Sequence, residues 1–149
     1  MTHLKIGDTA PEINSVDQNG SRIGIQQYRG KKIVLYFYPK DMTPGCTVQS
    51  CNLRDNYNSL IEKGYVVLGC SADSPEKHQK FINKYNLPFP LISDENKEVL
   101  NAYGVWGPKK FMGRTFDGIK RTTFVIDEEG KIINIIEKVK TKEHASQIL

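Results

Sequence analysis

Apolar positions along the chain fall into two rhythms. Ile33–Tyr38 (IVLYFY) and Tyr65–Cys70 (YVVLGC) are continuous β-branched and aromatic runs. Strands apolar on both faces belong in the middle of a sheet, covered by helices on each side. Phe89–Ser93 is a shorter, weaker run, and Pro90 argues for an edge or an irregular start. Thr122–Ile126 and Lys131–Glu137 flank Asp127-Glu128-Glu129-Gly130, an antiparallel hairpin signal. Near the N-terminus, Asn19-Gly20 supplies the positive-φ turn of another hairpin, between Glu12–Val16 and Ser21–Ile25.

The second rhythm is helical. A first helix is predicted to open at Thr43, with Pro44 as its first helical residue and Gly64 just past its end. Val48, Cys51, Leu53, Tyr57, Leu60 and Ile61 supply its apolar positions. A second opens at Ser74-Pro75 and sets His78, Phe81, Ile82 and Tyr85 on one stripe. A third begins near Asp94 and runs through Val99, Leu100 and Tyr103 to Gly104. Strands alternating with helices and closed by a hairpin predict an α/β sandwich: a mixed central sheet with helices on both faces and an extra N-terminal β-hairpin. This is a thioredoxin-like arrangement. No repeat or linker-like stretch divides residues 1–149, so one domain is expected.

Composition narrows the class. Hydrophobic residues make up 38% and charged residues 26%, which is ordinary for a globular chain and argues against global disorder. No apolar run is long enough for a membrane span. The start, MTHLKIGDTAPEI, lacks the basic and apolar regions of a secretory signal, so a cytoplasmic protein is expected. The balance of 21 basic against 17 acidic residues, +4, is spread along the chain. Lys31-Lys32 and Lys109-Lys110 are too small to argue for nucleic-acid binding. Three cysteines, Cys46, Cys51 and Cys70, leave buried thiols, a metal site or redox chemistry as their uses.

Cys46 carries the chemistry. In Pro39-Lys40-Asp41-Met42-Thr43-Pro44-Gly45-Cys46 a buried strand ends and a loop enters a helix capped by Thr43. Cys46 is then the third helical residue, where unpaired N–H groups and the positive end of the helix dipole favour a thiolate. Within one regular helix the Cα atoms of Cys46 and Cys51 lie roughly 8.5 Å apart. A disulfide needs less than about 7 Å, so a bridge between them requires this turn to unwind. Alternatively, Cys51 simply packs on the apolar stripe of the helix. Cys-x₄-Cys is not a usual zinc spacing, and His3, His78 and His144 are scattered, so no metal site is expected. His78 reads as a solvated or packed helix residue. Neither Cys-x-x-Cys nor a phosphate loop is present.

The segment YFYPKDMTPGCTVQSCNLRD resembles the active-site segment of the peroxiredoxins, whose Pro-x-x-x-Thr-x-x-Cys signature is met by Pro39, Thr43 and Cys46. The Cys-x₄-Cys spacing is similar to the bacterioferritin comigratory protein, or PrxQ, subfamily. GDTAPEI, VLGCSADSPEKHQKF and GVWGPKKFMGRTFDGIKRTTFVID agree in order, so the resemblance runs from about Ile6 to Lys142.

That resemblance implies a thiol peroxidase acting on hydrogen peroxide and organic hydroperoxides. Cys46 would be the peroxidatic thiolate that becomes a sulfenic acid. Thr43 would hydrogen-bond the peroxide, and Arg121 would favour the thiolate and hold the developing charge. Pro39 would shield the sulfur, and the N–H groups of Gly45 and Cys46 would complete the anion site. Cys51 would resolve the sulfenic acid as an intramolecular disulfide, recycled by thioredoxin or a similar dithiol. The family implies no bound cofactor, since protein sulfur carries the redox change, and its usual habit is a monomer. Gln49 stands where many peroxiredoxins carry Glu, and Cys70 reads as a small core hydrophobe. Trp106, Phe111, Met112 and Phe116 would either pack beside the site or serve as ordinary loop-to-core packing. The competing functional reading is a non-enzymatic redox switch or binding module on the same fold, which a fast peroxide reaction would distinguish.

Overall fold

The computed structural model describes residues 2–149, the side chain of Phe111 excepted. The chain opens with β1 (Ser15–Val16), β2 (Arg22–Ile23), β3 (Lys32–Phe37), α1 (Pro44–Asp55) and α2 (Tyr57–Glu62). Next come β4 (Tyr65–Ser71), α3 (Pro75–Tyr85), β5 (Leu91–Ser93) and α4 (Glu98–Ala102). It closes with β6 (Trp106–Phe111), β7 (Arg114–Ile119), β8 (Thr122–Ile126), β9 (Ile132–Ile136) and α5 (His144–Ile148).

Seven strands form one mixed sheet in the order β2-β1-β5-β4-β3-β8-β9. β3, β4 and β5 run parallel, and β8 pairs antiparallel with β3. The two uninterrupted apolar runs, β3 and β4, take inner positions, as strands buried on both faces must. Alternation along β3 divides two cores: Ile33, Leu35 and Phe37 join Val99, Leu100 and Tyr103 on one side. Val34, Tyr36 and Tyr38 meet Cys46, Leu53, Leu60, Phe81 and Ala145 on the other. α1, α2, α3 and α5 therefore cover the face that carries Cys46, and α4 the opposite one.

The elements depart from expectation in three places. The N-terminal hairpin is present but is only two residues deep on each side, pairing Ser15 with Ile23 and Val16 with Arg22. Asp17 closes it by accepting hydrogen bonds from the amides of Asn19 and Ser21. The long first helix is broken at Asn56, whose amide side chain donates to the Asn52 carbonyl at 2.9 Å and competes with the backbone ladder. A two-stranded β6–β7 hairpin stands apart from the main sheet in a segment where no strand is predicted.

Candidate active site

β3 delivers the chain through Tyr38 and Pro39 into a short loop, Lys40–Thr43, from which α1 starts. Pro44 occupies the first helical position and Thr43 the cap, with extended backbone angles of −79° and 152°. The expected side-chain cap is absent. The Thr43 hydroxyl donates instead to the Lys40 carbonyl at 2.8 Å, bending the loop on itself. Its oxygen is thereby left to accept from another group. The first intrahelical bond runs from Thr47 N–H to the Thr43 carbonyl at 2.9 Å, so the Gly45 and Cys46 amides precede the ladder.

Cys46 is the third helical residue and is 1% exposed. Arg121, between β7 and β8, donates from Nη2 to Cys46 Sγ at 3.3 Å and from Nη1 to Gln49 Oε1 at 2.5 Å. The planar fork of the guanidinium thus holds the sulfur and the helix together, which a lysine could not do. A Cβ at Gly45 would lie 3.3 Å from Nη2, so the glycine permits this close approach. Negative charge at Sγ meets a guanidinium and the N-terminal dipole of a twelve-residue helix. Pro39 is half-buried on the turn leading into the loop.

Cys51 lies on the same helix, half-buried, and all three cysteines are free thiols. The helix is wound between Cys46 and Cys51, as the spacing argument requires for the reduced state. Cys70 sits in the core across the sheet from Cys46. Burial, with a smaller contribution from Asp94, pushes its thiol well above the ordinary range.

Trp106 does not gather at the site. It packs on the core of the opposite face, with Lys97 Nζ 5.1 Å above its ring. Met112 and Phe116 are exposed on the β6–β7 hairpin, and the Phe111 side chain lies outside the described residues.

Three contributions escape sequence reasoning. Gln49 is fully buried and orients Arg121. Lys109 anchors to the Ile119 carbonyl at 2.7 Å; burial lowers its pKa, repulsion from Arg121 adds to that, and attraction to Cys46 opposes it. Beneath the loop, Asp41, Asp73 and His78 form a buried cluster. A carboxylate is legible in a loop motif, but its partners come from elements 30 residues and more away and are set by the sheet.

The AhpC/TSA family matches residues 6–135. Peroxiredoxin Bcp of Escherichia coli (strain K12) is 48% identical over 149 residues, covering all of this chain and 96% of the relative. Among solved structures, the bacterioferritin comigratory protein of Xanthomonas campestris, a protein with alkyl peroxide reduction activity, superposes with a TM-score of 0.89 at 30% identity. That match covers 97% of this chain and 91% of the other. Peroxiredoxin Q of Xanthomonas campestris gives a TM-score of 0.88 at 31% identity over 99% of this chain and 93% of its own. With such agreement over its full length, the chain belongs to the AhpC/TSA family, as a peroxiredoxin of the Bcp or PrxQ type.

Proposed function

We propose that this chain reduces hydroperoxides through Cys46 and Cys51. The Cys46 thiolate attacks the terminal peroxide oxygen; the O–O bond breaks, the leaving alkoxide or hydroxide takes a proton, and Cys46 becomes a sulfenic acid. Arg121 and the Gly45 and Cys46 amides stabilise the charge that develops as O–O cleaves. The Thr43 oxygen accepts the O–H hydrogen of the bound peroxide, and Pro39 keeps bulk water from the sulfur. The Cys51 thiol then attacks the sulfenic sulfur, forming the Cys46–Cys51 disulfide and releasing water. A dithiol, thioredoxin in this reading, returns both to thiols and leaves as its own disulfide. The protein acts as a cytoplasmic monomer.

The observation that carries this reading is the 3.3 Å contact from the Arg121 guanidinium to a buried sulfur in the first turn of a helix that also bears Cys51. Peroxide consumption with thioredoxin or dithiothreitol tests it. Cys46→Ser is expected to abolish turnover, and Cys51→Ser to stop at sulfenic acid. Peroxide should remove two thiols from the wild-type chain, Cys70 becoming alkylable only on denaturation. Full activity in Cys46→Ser, or a Cys46–Cys70 bridge in peptide maps, would overturn the assignment.

A further inference from the structure

His78 and Asp41 have no place in that chemistry, yet they are buried within the peroxidatic loop's footing. Their side chains are 0% and 3% exposed, and His78 Nδ1 lies 2.6 Å from Asp41 Oδ2. The other ring nitrogen, Nε2, faces the Ile92 carbonyl at 3.0 Å. Both nitrogens face acceptor groups, so against an ionised Asp41 each nitrogen carries a proton and the two side chains form an ion pair. His144 shows the contrast. Its Nδ1 faces the Gln147 amide oxygen and its Nε2 the Thr123 hydroxyl, an arrangement that a neutral imidazole satisfies.

Asp41 is held from three elements at once. The Tyr38 hydroxyl, just past β3, donates to Oδ1 at 2.6 Å. Asp73, just past β4, accepts from the Asp41 amide at 2.9 Å and from the Ser71 hydroxyl at 2.7 Å. His78 of α3 completes the hold. Asp41 and His78 thus spend their side-chain polar atoms on each other, Tyr38 and the Ile92 carbonyl, while Asp73 Oδ2 takes two donors, so the cluster clamps the loop. The following residue, Met42, has φ of 67°, a left-handed conformation that a long side chain adopts only under constraint. An open cleft of about 320 Å³, lined by Lys40, Asp41, Met42, Asp73, Lys77 and Lys80, lies beside the clamp. The loop has room to swing outward there, towards cations that would meet a released carboxylate.

We propose that the Asp41–His78 ion pair latches the Lys40–Thr43 loop in the wound state and opens as Cys46 moves to Cys51. The inference rests on the disulfide of the proposed function and names the residues that set its equilibrium. Asp41 and His78 are positioning residues; they touch neither peroxide nor sulfur. A latch closed only in the dithiol form favours that form over the disulfide. Its loss must therefore make the disulfide harder to reduce. A general loss of fold stability, shared by both forms, cancels from the potential.

The test equilibrates the full chain with dithiothreitol redox buffers and counts alkylable thiols. Asp41→Ala and His78→Ala are expected to shift the thiol–disulfide equilibrium roughly tenfold towards the disulfide, as loss of a charged hydrogen bond does. That shift is about 30 mV to more negative potential. Asp41→Asn, close in shape and able to keep its hydrogen bonds to a neutral ring, should move the same way by less. The double Ala variant should shift little beyond the larger single one. If Asp41→Asn and Asp41→Ala fold and match the wild-type potential, the latch is refuted while the proposed function stands. A wild-type chain that forms no Cys46–Cys51 disulfide overturns both.

Discussion

Gln49 uses half of its amide. Its Oε1 accepts from Arg121, while its Nε2 is buried and finds no hydrogen-bond partner among the described residues. An orphaned buried donor costs about 1–3 kcal/mol, so this residue trades stability for the placement of a cation beside sulfur. Gln49→Met, similar in volume, removes both the useful acceptor and the orphan. The expected outcome is a roughly tenfold slower reaction with peroxide, because a displaced transition-state donor costs rate. The urea midpoint should correspond to a change within about 1 kcal/mol, since the lost bond and the relieved donor offset one another. Competition kinetics and equilibrium unfolding check the two arms, and a large stability loss without a rate change would show Gln49 to be ordinary core. Cys46 and Thr43 stand out in the sequence because they lie where a strand end leads into a helix start, whereas Arg121 is picked out only by the family resemblance. Gln49 was visible only as a departure from pattern, since its partner lies 72 residues away. The Asp41–His78 pair was not legible, as His78 fits the amphipathic stripe of α3 equally well as a packed residue.

Elements with a core-facing pattern are legible in the sequence. β8 spans Thr122–Ile126 as predicted, and β3 and β4 differ from expectation by a residue at their ends. The β6–β7 hairpin is not legible, for a physical reason. It buries little: Arg114–Asp117 are all exposed, and Gly107, Pro108 and Gly118 lie within its strands. Neither alternation nor turn chemistry marks it. Its loop is Met112-Gly113, with φ of 50° and 77°, the two positive values of a type I′ turn. Asparagine takes the first of these positions at lower cost than methionine. Met112→Asn is therefore expected to stabilise the hairpin by about 0.5–1 kcal/mol, and Met112→Val to loosen it. Hydrogen exchange at the Lys109 and Phe116 amides, a hydrogen-bonded pair of the ladder, reads the difference. Equal exchange in all three chains would mean that the turn does not limit hairpin opening. The hairpin matters to the site because Lys109 of β6 braces the Ile119 carbonyl at the end of β7, two residues before Arg121.

At the scale of the whole molecule, the fold buries several titratable groups in their neutral form, and they bracket its stability in pH. Burial, reinforced by repulsion from Arg121 and opposed by the Gln147 hydrogen bond, lowers the pKa of His144 below its ordinary 6.5. Below about pH 6.5 the unfolded chain takes up a proton that the folded chain resists, so the unfolded state binds more protons. Stability from this group is present above pH 6.5 and is lost as pH falls. The alkaline side has the opposite origin. Burial, first among the causes, raises the Tyr36, Tyr38 and Tyr103 phenols and the Cys70 thiol above their ordinary values of 10 and 9. As pH climbs past 9 the unfolded chain sheds protons that the folded chain keeps, and stability falls again. The reduced protein should thus show its highest urea midpoint between about pH 7 and 9, declining on either side. His144→Gln keeps a polar partner for Thr123 but cannot titrate, and should flatten the limb between pH 7 and 5 that His144 creates. Cys70→Ala should delay the onset of the alkaline limb from near 9 towards 10. Unfolding curves at unit pH steps separate the two, and an acid limb unchanged in His144→Gln would remove that histidine from the account.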